Sequence, residues 1–125
     1  MESHEKFKIV AGLLLIASAI THVLQIFWVG FEWHDIGAAI YGALYGLLGL
    51  LLILYKDNRS ITLVGIIFPT IGGLLGLNRL INIEIAIHGE INWFIVWHIF
   101  ADAIIVPFCV YSYIILQRQI KNLPK

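Results

Sequence analysis

The sequence predicts an all-α integral membrane protein: an up-down-up-down four-helix bundle with both termini in the cytoplasm. Three observations carry that prediction. The 125-residue chain is 60% hydrophobic and only 13% charged, whereas about a quarter of the residues in a soluble domain are charged. Four apolar runs have the length, about 20 residues, that crosses a hydrocarbon core as helix. The basic residues divide very unequally between the two sides that four crossings create. A small soluble fold buries too little of its chain to hide this composition. A soluble globular domain, a disordered chain and a nucleic-acid binder are therefore excluded, and residues 1–125 form one transmembrane domain.

The first helix, about residues 7–31, rests on the run Ile9–Phe31, which only Ser18, Thr21, His22 and Gln25 interrupt. Lys6 and Lys8 ahead of an apolar stretch and Ala17-Ser18-Ala19 also resemble a leader peptide with its cleavage site. The apolar run continues to Phe31, however, which suits an uncleaved span. The second helix, about 36–55, covers Ile36–Tyr55 and contains no charge. The third, about 61–82, covers Ile61–Ile81, with Pro69 inside it and Asn78 and Arg79 near its end. The fourth, about 91–117, covers Ile91–Leu116 and includes His98, Asp102 and Pro107. None of the runs alternates as a strand does, and lipid leaves bare amides unsatisfied, so these are helices. Short polar connections, Glu32–Asp35, Lys56–Ser60 and Asn82–Glu90, make sequence neighbours antiparallel.

Orientation follows from the bases. Lys6, Lys8, Lys56, Arg59, Arg118, Lys121 and Lys125 share the side of the termini, and only Arg79 lies opposite. Positive charge marks the cytoplasmic side. Trp28, Trp33, Trp93 and Trp97 fall at the outer interface, and Tyr55, Tyr111 and Tyr113 at the inner one. Helix association in lipid depends on close backbone approach. Ala38, Gly42, Gly46 and Gly49 on the second helix and Gly65, Gly72, Gly73 and Gly76 on the third provide it. These rows predict packing grooves within the chain, the rival being a seam to a second copy or another subunit.

The membrane-embedded polar residues carry the functional signal. His22 and His98 each lie seven residues inside the outer end of their helix, about 10 Å deep, on helices that neighbour one another. Asp102 is one turn below His98 on the same face. Arg79 and Asn78 enter the layer from the third helix, Tyr41 and Tyr45 from the second, and Gln25 stands nearly one turn above His22. Ionisable groups at that depth cost a few kcal/mol each and turn inward to pair. The minimal arrangement is an Arg79–Asp102 ion pair with His98 and His22 hydrogen-bonded around it.

Three ligands suit such a layer. A b-type haem takes two imidazoles from facing helices, His22 and His98, with Arg79, Tyr41, Tyr45 or Asn78 available to its periphery. A divalent metal ion suits the two-histidine, one-carboxylate set His22, His98 and Asp102. A quinone or another lipophilic molecule accepts hydrogen bonds from histidine and arginine while its ring packs on an aromatic side chain. Each is compatible with electron or proton transfer. The competing reading is polar packing, in a non-catalytic subunit of a membrane complex, a homo-oligomer or a small-ligand carrier.

The loop sets Glu32/His34/Asp35 and Glu84/His88/Glu90 read as solvated polarity before a cation site. Cys109, the single cysteine, excludes an intrachain disulfide and a paired-cysteine reductase, and it reads as a packing residue. In architecture alone the chain resembles small four-helix membrane cytochromes and quinone-reactive membrane anchors, and architecture does not establish activity. With almost no residues outside the spans, any catalysis would require a lipid-soluble substrate or a partner protein.

Overall fold

A computed structural model describes residues 2–29 and 33–122; the side chains of Val29, His34 and Asp35 lie outside the description. The described residues are helical apart from short connections, with no strands among them. In order they form α1 (Ser3–Val29), α2 (Trp33–Leu54), α3 (Arg59–Arg79), a π-helical segment (Leu80–His88) that continues α3, and α4 (Trp93–Lys121). All four long helices are long and apolar enough to cross a membrane. At 1.5 Å per residue even the 22-residue α2 reaches about 33 Å.

The four expected helices are all present, but the third was drawn too short. Helix continues to His88, so the predicted polar loop from Asn82 shrinks to Gly89–Asn92. Gly89 ends the winding in the left-handed region, at φ 69°, its N–H bonded to the Glu84 carbonyl. That conformation suits a residue without Cβ. Asn92 then starts α4, its side-chain oxygen accepting from the Phe94 and Ile95 amides; Asn58 starts α3 the same way, accepting from Ile61.

The bundle is two hairpins joined along one seam. α1 packs most extensively on α2 and α3 on α4, α1 also lies along α4, and α2 meets α3 only slightly. The core runs through Ala11, Leu15, Tyr45, Leu48, Leu52, Ala101, Ile105 and Cys109. Cys109 is buried there as the packing residue its position suggests, close to Gly65 and Leu52. The glycine rows work inside the chain. A Cβ at Gly42 would collide with His22, one at Gly46 would come 3.2 Å from Ala19, and one at Gly65 would come 3.1 Å from the Cys109 sulfur. The outside is apolar: Leu13, Ile20, Leu47, Ile67, Leu74 and Phe100 are all exposed, the reverse of a water-soluble surface.

The end carrying the termini and the α2–α3 connection, here the terminal end, is tied by polar contacts. Lys8 is fully buried, and its ammonium donates to the carbonyls of Tyr55 (3.2 Å) and Lys56, just past the end of α2. A cation suits the unpaired carbonyls at a helix C-terminus. The Ser112 hydroxyl lies 3.0 Å from the His4 carbonyl, and Lys56 pairs with Glu5 at 3.2 Å. Lys8→Met is expected to cost about 2 kcal/mol, since both carbonyls lose a charged donor. Thermal unfolding in detergent measures this; an unchanged midpoint would show that the ammonium contributes nothing net.

Candidate functional site

Toward the opposite, distal end of the bundle, all four helices border one cavity of about 300 Å³. α1 contributes His22 and Gln25. α2 contributes Gly37, Ala38, Tyr41 and Tyr45, and α3 contributes Gly72, Leu75, Gly76 and Arg79. α4 closes it with Ile95, His98 and Asp102. Gly37 and Leu75, on α2 and α3, are themselves exposed, so the cavity reaches the surface where those two helices diverge. Its place follows from the fold: the hairpins close well on themselves and poorly across α2–α3.

Small residues make the room. A Cβ at Gly72 would overlap the Tyr45 hydroxyl and come 3.1 Å from the Tyr41 ring, so glycine there lets both phenols reach α3. At Gly73 a Cβ would come 3.3 Å from Asp102. An aromatic wall results. His22 stacks on His98 with ring centroids 3.7 Å apart and planes 5° from parallel. Tyr45 stands edge-on to His22 at 6.0 Å, Tyr41 lies 5.1 Å from Tyr45, and Phe68 stacks on Tyr41 at 4.4 Å.

Most polar groups in the wall already have partners. The Tyr45 hydroxyl lies 2.9 Å from both Asp102 carboxyl oxygens and donates between them; Asp102 is 3% exposed and Tyr45 1%. The Tyr41 hydroxyl donates to the Phe68 carbonyl at 2.8 Å. His98 Nε2 lies 2.9 Å from the Thr21 hydroxyl and 3.4 Å from the Ser18 carbonyl. A carbonyl only accepts, and Thr21 spends its own proton on the carbonyls of Ser18 and Ala17. That assigns the His98 proton to Nε2 and leaves Nδ1 as an acceptor. His22 Nδ1 is buried with no hydrogen-bond partner.

The layer expected from the sequence therefore exists, with its pairing changed. His22, His98, Asp102, Arg79, Tyr41 and Tyr45 all line the cavity. The expected Arg79–Asp102 ion pair does not form. Arg79 Nε instead lies 3.3 Å from Glu84, whose other oxygen is 3.5 Å from His88 Nδ1. The π winding contributes: its wider turn brings a residue five positions on nearer to the same face than α winding would, and Glu84 reaches Arg79. Asn78 is also outside the site. It is exposed and accepts from Asn82 at 2.7 Å. Trp97 turns inward against the core, while Trp28, Trp33 and Trp93 are exposed at the distal end.

The two imidazoles stack face to face, and no three described His, Cys, Asp or Glu groups are placed to share a metal ion. Of the two loop sets, Glu84 and His88 belong to the π-helical segment, whereas Glu32 and the side chains of His34 and Asp35 lie outside the description. Gln25, expected nearly one turn above His22, lines the cavity too. Thr21 and Leu75 were not among the expected site residues; the polar interruption Thr21 in an apolar run was the available signal for one of them. Comparison with known proteins finds no family model, no curated protein and no solved structure that matches this chain.

Proposed function

We propose that this chain is a multi-pass cell-membrane protein with cytoplasmic termini that binds a lipophilic, carbonyl-bearing ring, a molecule of the quinone class, in the outer half of its bundle. The observation that carries the reading is the convergence of seven polar or aromatic side chains from four helices on one cavity. The apolar exterior supports the membrane, and the concentration of bases at the terminal end supports the orientation. A cavity with apolar walls and a few fixed polar groups is the usual form of a small-molecule site. About 300 Å³ accommodates a substituted ring, and the opening at α2–α3 faces acyl chains, where such a ligand is dissolved. The stacked histidines and tyrosines offer flat faces for the ring. The phenol–carboxyl pair and the two imidazoles are proton-exchanging groups beside it, as electron or proton transfer through such a ligand requires.

Titrating the detergent-purified protein with decyl-1,4-benzoquinone and following tryptophan fluorescence tests the reading. Saturable quenching is expected. Ala38→Phe, which fills the cavity, is expected to weaken binding at least tenfold, about 1.4 kcal/mol, with helical content unchanged. Equal, non-saturating quenching in both proteins would overturn the reading in favour of polar packing within a larger assembly. A Soret band that disappears in His22→Ala and in His98→Ala would replace it with haem.

A further inference from the structure

We propose that Gln25 is the group that recognises the ligand's carbonyl oxygen, an inference that rests on the cavity being a ligand site. Gln25 is 2% exposed, lines the cavity, and has no hydrogen-bond partner among the described residues. An amide carries two donor hydrogens and an acceptor oxygen, and those of Gln25 are not among the fully enclosed unpartnered atoms, so they stay open to the cavity. The neighbouring polar groups do not account for it. Tyr45 and Asp102 hold each other, Tyr41 holds the Phe68 carbonyl, and His98 holds Thr21. Gln25 follows His22 by three residues, so both side chains share one face of α1 and the amide stands toward the distal mouth. Arg79, from α3, borders the same cavity with only its Nε committed to Glu84. The mouth is thus furnished with donors, a carboxamide and a guanidinium, which matches an oxygen that only accepts. A ring carbonyl is such an oxygen.

The inference separates carbonyl recognition from burial of an apolar ring. Two probes of the same shape are compared, decyl-1,4-benzoquinone and decylbenzene, which lacks the oxygens. Wild-type protein is expected to prefer the quinone. Gln25→Met keeps the volume and removes the amide, and is expected to weaken quinone binding about tenfold while leaving decylbenzene binding unchanged. The ligand-free variant is expected to unfold at about the same temperature as wild type, because the amide faces the cavity and holds no partner within the bundle. Gln25→Asn, which retains the amide but shortens its reach, is expected to lose quinone affinity as well. A lower unfolding temperature in Gln25→Met together with an unaltered quinone-to-decylbenzene ratio would show a packing role and overturn this inference alone. Failure of wild-type protein to bind the quinone, with Ala38→Phe indistinguishable from it, would overturn the functional reading on which it rests.

Discussion

Gly49→Leu is expected to destabilise the bundle by about 3 kcal/mol, the upper part of the usual range for overpacking. The cause is the crossing of α1 and α2. A Cβ at Gly49 would come 2.6 Å from the Gly12 carbonyl oxygen and 3.0 Å from Ile16, and one at Gly12 would come 2.7 Å from the Gly49 carbonyl. Backbone stands against backbone, so no rotamer change relieves the overlap and the helices must separate. In lipid such separation loses the dispersion contacts that hold helices together, and no hydrophobic force replaces them. Denaturant unfolding in mixed micelles measures the loss. Gly37, where a Cβ would meet nothing within 4 Å, is the control and is expected to accept alanine without loss.

Tyr45→Phe is expected to cost about 2 kcal/mol, because the buried Asp102 carboxyl then loses the shared hydrogen bond from its one side-chain donor among the described residues. The loss arises from the orphaned carboxyl more than from the missing hydroxyl, so the order of removal matters. Asp102→Leu in the Tyr45→Phe background is expected to recover most of the stability, since removing both members leaves no unsatisfied group. A double-mutant cycle read by thermal unfolding measures the coupling. Additive single effects would show that the phenol and the carboxyl do not act as a pair.

The four helices were legible because apolar run length is a direct physical requirement of crossing lipid. The polar layer was legible because His22 and His98 lie at equal distances from their helix ends, and equal rise sets equal depth. Partners inside the layer were not. Pairing Arg79 with Asp102 assumed ordinary α winding, and the π-helical stretch after Arg79 brings Glu84 to it instead. The stacked orientation of the imidazoles depends on side-chain torsions that no spacing encodes. Lys8 read as one more cytoplasmic base. Its burial against the carbonyls of residues 55 and 56 depends on where α2 ends, which composition does not specify.

The slight contact between α2 and α3 has a mechanical consequence. Each hairpin packs as one leaf, and the α1–α4 seam is the spine of the book. If the cavity takes a guest as proposed, a bulkier one would be admitted by spreading the leaves at their weakest margin, with the tight Gly12–Gly49 crossing left intact.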